Sequence, residues 1–405
     1  MDVLFFSPAW PPEMAQFTRG LAEVGARVWG VGDHPYDQLP GPLRRNLHAY
    51  LHVPRVLDED DVIARVLVWL GNQNLDRIES NWEPTTLLAA RLREIRGVPG
   101  MSVDTVNGFR DKPLMRERVA AAGLRIPKTA RVRSAEEIRT FAAEARYPII
   151  VKPVAGAGSA DTWRIGSAAE LETVLGRIGH LSEASCEEFV TGQELTYETI
   201  CVDGTPVFES VSWYVPNVLE ARKNEWISPY IFCLRDLSHP LVQGGLELGR
   251  KVIGALGMGT GFTHMEWFRK ADGEAVFGEI ACRPPGANMV DLMNYAADAD
   301  LYREWARAVC WGAVELPAVK PYHAAIIFKR AQGQGRIVAH NGMDAFRQRH
   351  GAWIARDDLL PIGTPRRDWQ QTFLADGNVV VRHPDWDPCY RMAEEFVRAV
   401  QLFAR

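Results

Sequence analysis

The stretch Phe262–Gly286, read with the glycine before it as GFTHMEWFRKADGEAVFGEIACRPPG, limits the fold more than any other part of the chain. It divides into two short apolar strands, Thr263–Phe268 and Ala275–Cys282, joined through Asp272-Gly273. Asp-Gly between alternating apolar runs is the strongest local signal for a two-residue hairpin loop, because both residues tolerate the backbone angles such a loop needs. That loop sets Glu266 directly opposite Glu279, and His264 opposite Ala281. Like charges facing each other across a strand pair destabilise it, and these two are flanked by Met265, Trp267, Phe277 and Ile280. Two carboxylates so placed call for a cation between them. Oxygen-only donors, with no Cys–His set nearby, point to Mg2+ or Mn2+ rather than zinc. A solvent-facing pair at a sheet edge is the plain alternative.

A chain of 405 residues exceeds one small core and implies several packed units. The formal net charge of −5 argues against broad phosphate neutralisation, so no nucleic-acid partner is expected. The N-terminal MDVLFFSPAWPP has no basic segment and too short an apolar run for a signal sequence. No window reaches the length that crosses a bilayer. The six cysteines form no CxxC pair and read as reduced thiols. Together these features predict a cytoplasmic protein with no membrane partner, and they are compatible with a homodimer.

Residues 1–97 alternate strands and helices: Val3–Phe6, a helix from Pro12 to near Gly25, Arg27–Val31, helix Asp58–Leu70, Asp76–Glu79 and helix Glu83–Arg96. This alternation predicts a small parallel α/β domain. It carries no GxGxxG, but the strand ends at Ser7–Trp10, Asp33–His34 and Glu79–Trp82 form the natural crevice of such a sheet. Helices follow at Asp111–Ala122 and Ala135–Ala145, then strand Ile149–Pro153, a Gly/Ala/Ser loop and strand Asp161–Ile165. The loop lacks the Gly-Lys-Ser/Thr of a Walker A sequence. Lys152 is the only charge in its apolar strand; a buried ammonium needs a partner such as a phosphate, unless it snorkels from the strand edge. Beyond lie helix Ala169–Ile178, strands at Ser185–Val190, Thr196–Val202, Val207–Tyr214 and Ile231–Leu234, helix His239–Leu256, and helix Asp300–Trp311. The tail from Ala324 is mixed α/β and closes on a helix over Pro388–Phe403.

The order of these pieces resembles the ATP-grasp superfamily, in its carboxylate–amine ligase branch, and is similar to L-amino acid ligases. The resemblance covers roughly residues 98–330, behind a Rossmann-like pre-grasp domain. It implies a mixed α/β and α+β fold divided as 1–97, 98–190, 191–323 and 324–405. It also implies ATP and Mg2+ (or Mn2+) as cofactors, and small-molecule carboxylate and amine substrates. Lys112, before a helix that ends in Ala-Gly-Leu-Arg-Ile-Pro, and Lys152 resemble the two phosphate-binding lysines. Gly156, Gly158 and Ser159 fall in the glycine-rich loop over the phosphates. Glu187 in CEEFVTGQEL, with Glu188 beside it, resembles the residue that takes the adenine amino group. Val190 falls at the hinge amide and Glu194 at the ribose hydroxyls. Glu266 and Glu279 resemble the metal ligands, and Arg283 the arginine that orients the acid or its acyl phosphate, with a salt bridge as its alternative. Where many members carry a further Asn ligand, this chain has Ala281, with His264 opposite as either a ligand or a packed side chain. Trp213, Tyr214, Trp226 and Tyr230, with Arg222 and Lys223 among them, suit a substrate pocket or ordinary packing. The activity implied is an ADP-forming ligase that joins a carboxylate, as an acyl phosphate, to an amine. Its alternatives are a thiol or other acceptor, a kinase, and a nucleotide-binding protein without turnover.

Overall fold

The computed structural model describes residues 1–153, 163–178, 183–216, 220–221, 224–369, 372 and 375–405. The N-terminal unit is a four-stranded parallel sheet in the order Ala49–His52, Arg27–Gly32, Asp2–Phe6, Arg77–Glu79. Asp2–Phe6 is buried along its whole length, as a central parallel strand covered on both faces must be. The strand Ala49–His52 carries too short an apolar pattern to stand out; its pairing with Arg27–Gly32 places it. The first strand lies between Arg27–Gly32 and Arg77–Glu79, so the chain reverses its direction of strand addition there. The crevice at such a switch point opens beyond the C-terminal strand ends, at Ser7–Pro12 and Ser80–Trp82.

A second, antiparallel sheet runs Thr129–Val132, Ala184–Glu188, Ile149–Pro153, Trp163–Ile165. Helices Ala135–Ala145 and Ala168–Ile178 belong to the same unit; Ile138 and Phe141 from the first and Leu171 and Val174 from the second join Val151 and Cys186 in its core. The largest sheet has eight strands in the order Ala275–Ala281, Gly261–Arg269, Gln193–Val202, Thr205–Val215, Tyr230–Cys233, His323–Phe328, Asn378–His383, Ile354–Asp357. One face packs on helices Pro240–Ala255 and Trp386–Ala399 through Leu195, Tyr197, Trp213 and Trp267. The other packs on helices Met289–Ala297, Leu301–Trp311 and Met14–Glu23 through Ile200, Ile231 and Phe262. The final helix ends at Ala399 and does not reach Phe403. Gln401–Ala404 is a strand, because Ile337–Asn341 and Gln332–Gly333 offer it backbone partners on both sides. Among the described residues no helix is long and apolar enough to cross a membrane.

His323 opens the strand that joins the C-terminal segment to this sheet. Its Nδ1 accepts the Arg235 amide at 3.2 Å, so the fold requires a neutral ring. Burial, helped by the Arg235 charge, brings it down from 6.5 to about 4. A histidine whose folded value lies below its unfolded one removes stability as pH falls between the two. Wild type should therefore lose on the order of 3 kcal/mol more than His323→Asn between pH 7 and pH 4. Asn keeps an acceptor without the titration, and denaturant melts of both proteins at the two pH values measure the difference.

Candidate active site

The hairpin does place Glu266 opposite Glu279 and His264 opposite Ala281, but by a different route from the one expected. Arg269 pairs with Ala275, and the Lys270 amide donates to the Glu274 carbonyl at 2.9 Å. The loop is thus the three residues Ala271-Asp272-Gly273, with Gly273 at φ +91°, a turn followed by one left-handed residue. That extra residue shifts the register by one. Gly278 then stands as a bulge between the pairs Glu266–Glu279 and Trp267–Phe277, and restores it. A Cβ at Gly278 would lie 2.7 Å from the Glu266 carbonyl oxygen. Without this bulge Glu279 would point to the opposite face.

Strand alternation assembles the rest of that face. Glu194, Thr196 and Glu198 share it with Ser210, Ser212 and Tyr214 on one neighbouring strand, and with His264 and Glu266 on the other. Thr196, Glu198, Ser210 and Ser212 are fully buried. His264 Nδ1 lies 3.0 Å from Glu198 Oε1, and its Nε2 lies 3.7 Å from Glu266 Oε1. Burial works against a charged ring there, but the two carboxylates outweigh it and raise His264 to about 9. Burial likewise pushes Glu266 up, yet the His264, Lys112 and Arg283 charges hold it below the usual carboxylate range. Tyr214 is raised well above its ordinary value, first by burial and then by Glu266, Glu198 and Glu194 around it.

The cationic residues close on these acids from two other units. Lys112, at the start of helix Lys112–Ala121, forms an ion pair with Glu279. Lys152 Nζ meets Glu187 Oε1 at 2.8 Å, where Arg116 also donates at 3.2 Å; those cations outweigh burial and lower Glu187. Glu188 lies on the opposite face of its strand. It takes Arg125 at 2.6 Å and the Lys128 amide at 3.0 Å, and Arg125 also reaches Glu274 at 3.2 Å. Glu188 therefore braces the smaller sheet against the hairpin loop, and does not share the position of Glu187. Val190 sits in the link between the two sheets, and Glu194 lies beside Phe268 on the acidic face. Arg283 crosses to the N-terminal unit, where Nε and Nη2 bond Glu83 Oε2 at 3.0 and 2.9 Å, while Nη1 bonds the Pro284 carbonyl at 2.8 Å.

Some expected site residues lie elsewhere. Trp213 points to the core face, stacked on Phe232 at 5.3 Å and against Trp386 at 4.7 Å, so it is no wall of this site; its neighbour Tyr214 faces the acids. Tyr230 is buried and donates to Glu394 at 2.6 Å, and Trp226 is 81% exposed. Gly156, Gly158, Ser159, Arg222 and Lys223 lie outside the described residues. Glu198, which shares the strand Gln193–Val202 with Glu194, is a buried acid of this face that the sequence reading does not single out. A cavity of about 370 Å3 opens at the expected crevice, bounded by Glu13, Asn81, Trp82, Glu83, Arg110 and Arg283.

The arrangement suits a divalent cation. Glu266 and Glu279 offer carboxylate oxygens on one face, and the Lys112 ammonium already stands as a cation on Glu279. Among the described residues no cluster of three or more metal-ligating side chains exists. Mg2+ does not need one, since it keeps water and phosphate oxygens beside one or two carboxylates.

No family model matches the chain. It is 28% identical over 262 residues to the L-arginine-specific L-amino acid ligase of Bacillus subtilis, covering 63% of this chain and 62% of that protein. It is 23% identical over 279 residues to the alanine–anticapsin ligase of the same organism, covering 63% of this chain and 58% of that one. The chain thus spans about three-fifths of the length of these relatives. The solved L-amino acid ligase from Bacillus licheniformis superposes with a TM-score of 0.72 at 17% identity, over 100% of this chain and 98% of that one. Phosphoribosylglycinamide synthetase from Anaerococcus prevotii gives 0.75 at 13% identity, over 100% and 99%. Along its whole length the chain shares the fold of these two solved enzymes, and over about three-fifths of it a sequence relation to the two Bacillus subtilis ligases.

Proposed function

We propose that this chain is an ATP-dependent carboxylate–amine ligase acting on amino acids. A substrate carboxylate oxygen attacks the γ-phosphorus of ATP, the bond to the β,γ-bridging oxygen breaks, and ADP leaves. The amine nitrogen then adds to the acyl carbon, expels inorganic phosphate, loses a proton and leaves an amide. Phosphoryl transfer needs little covalent help from a protein; it needs positioning and neutralisation of the charge on the transferring oxygens. Lys112 and Lys152 supply fixed positive charge for the phosphates. Glu187 receives the adenine amino group, the Val190 amide meets the ring, and Glu194 binds the ribose. Glu266 and Glu279 would hold Mg2+, which would supply positive charge to offset the negative charge developing on the transferring phosphate. Arg283, steered by Glu83 toward the cavity mouth, orients the acid.

The observation that carries this reading is the opposed Glu266–Glu279 pair with the Lys112 ammonium on it. The relatives named as amino acid ligases support amino acids as the substrate class. The test is product analysis after incubation with ATP, Mg2+ and pairs of L-amino acids. ADP, phosphate and amide should appear in equal amounts, and only with both substrates present. AMP with pyrophosphate, or ADP without an acid, contradicts the proposal.

A further inference from the structure

A second cavity, of about 360 Å3, lies where the segment linking helix Leu301–Trp311 to strand His323–Phe328 meets the start of strand Thr205–Val215. None of the residues placed in the candidate active site lines it. Phe208, on its wall, stands six residues along the strand from Tyr214, about 20 Å at the spacing of an extended chain.

Lys320 lines this cavity and is short of partners. Its half-buried ammonium has one hydrogen bond, to the Leu234 carbonyl at a long 3.4 Å, and stands 5.3 Å from the centre of the Phe208 ring. An ammonium carries three donors. Among the described residues no carboxylate lies within ion-pair distance of this one, and Glu198 and Glu209 act on it only from farther away. Burial lowers Lys320 below the usual lysine range, and Cys233, Glu198 and Glu209 offset this only in part. Arg235 lines the same cavity. Its Nε and Nη1 go to the carbonyls of Lys320 and Pro384 at 2.9 and 3.1 Å, so among the described residues its charge too is met by main-chain oxygens alone. The two acids of the cavity are already engaged. Glu209 holds Arg250 through both oxygens at 2.7 Å and accepts from the Tyr197 hydroxyl. Asp236 Oδ1 accepts from the Ser238 amide and hydroxyl at 2.8 and 2.7 Å. A cation held out of water without a counter-charge is costly, and an anion entering the cavity relieves that cost.

The rest of the wall is apolar: Val207, Leu237, Leu316, Pro317 and Val319. One cationic end and one apolar end fit a single carboxylate with a compact apolar group. A phosphate or a dicarboxylate would set its further charge against that wall, or against Glu209 and Asp236. The volume is at the small end of ligand sites and suits one ring or a short branched chain.

We infer that this cavity binds a monocarboxylate with a small apolar group, its carboxylate on Lys320 and Arg235 and its apolar part against Val207, Phe208 and Leu316. The acid is a ligand there and not a reactant, since neither phosphate-binding lysine and neither metal carboxylate lines the cavity. The inference stands independently of the ligase reading.

Isothermal titration calorimetry of the full chain tests this with benzoate and 3-methylbutanoate, each matched by its neutral amide. At least one acid should bind, and its amide should bind about 10-fold more weakly or worse, the effect of losing a charge-assisted contact. Lys320→Met should weaken the acid by a similar factor, while Arg283→Gln should leave it unchanged; circular dichroism melts confirm that each variant is folded. A second readout needs no variant: the bound acid should protect Lys320 of wild type from acetylation by acetic anhydride, followed by peptide mass spectrometry. The inference is overturned if neither acid binds, if the amides bind as well as the acids, if folded Lys320→Met binds as wild type does, or if Lys320 is not protected. Binding lost in Arg283→Gln and kept in Lys320→Met would put the acid in the candidate active site, and overturns it as well.

Discussion

Glu279→Gln should leave the protein folded and lower kcat by about 10^2- to 10^3-fold, the range seen when one preorganised electrostatic contact is removed. Gln keeps the shape and one oxygen but not the charge. The side chain is 45% exposed, and its ion pair with Lys112 is a surface one, 65% exposed on the lysine side. Such pairs contribute little to stability, so the melting midpoint should move by no more than a degree or two. Loss of rate without loss of fold separates a ligand carboxylate from a structural one. The rate deficit should shrink as Mg2+ is raised, because weakened affinity is offset by concentration. Glu266→Gln should behave alike in rate but cost more stability. That carboxylate is the more buried of the two and lies beside the His264 ring. Steady-state kinetics over a Mg2+ series, with thermal melts of the same preparations, measure both.

Gly278→Val should be nearly as damaging to turnover, though residue 278 touches no substrate. Even the first carbon of the new side chain would sit 2.7 Å from the Glu266 carbonyl oxygen. That atom is backbone on the paired strand and cannot swing away. The strand pair must either open at the bulge or lose it. Losing the bulge slips Glu279 by one residue and turns it to the opposite face. The expected result is a stability loss of about 1–3 kcal/mol with a fall in kcat/KM of about 10^2-fold or more, since misplacing a catalytic group by about an ångström has that effect. Gly278→Ala should lie between wild type and Val. A Gly278→Val protein that is destabilised yet fully active would show that the bulge serves folding alone.

The hairpin illustrates how far a sequence can be read and why it then stops. The pairing of Glu266 with Glu279 was legible, yet it rests on two departures that cancel. Asp-Gly signals a tight loop but does not settle whether two or three residues form it. A lone glycine in an apolar strand marks a bulge, and Gly278 carried that mark. Trp213 shows a second limit. Alternation in VSWYV assigns Trp213 and Tyr214 to opposite faces but not which face meets the ligand. The buried polar set of Thr196, Glu198, Ser210 and Ser212 on neighbouring strands decides that. Glu198 was less legible than Lys152, because Glu194 and two threonines share its strand and hide how deeply it is buried. Asn81 falls in the strand end Glu79–Trp82 already expected at the crevice, but Glu13 and Arg110 carried no such mark. Those two belong to a helix cap and a helix end far apart in the chain, and only the packing of the N-terminal unit on the following helices brings them to one cavity with Asn81.

The claim on which everything else depends is that Glu266 and Glu279 share a divalent ion carried with the nucleotide. Electron paramagnetic resonance of Mn2+, titrated into the protein with ADP present, reads it without any assumption about substrates. Wild type should bind about one Mn2+ per chain whenever ADP is bound, and both Glu266→Gln and Glu279→Gln should weaken that site by about 10-fold or more. Tight Mn2+·ADP binding that is the same in wild type and in both variants would contradict the account.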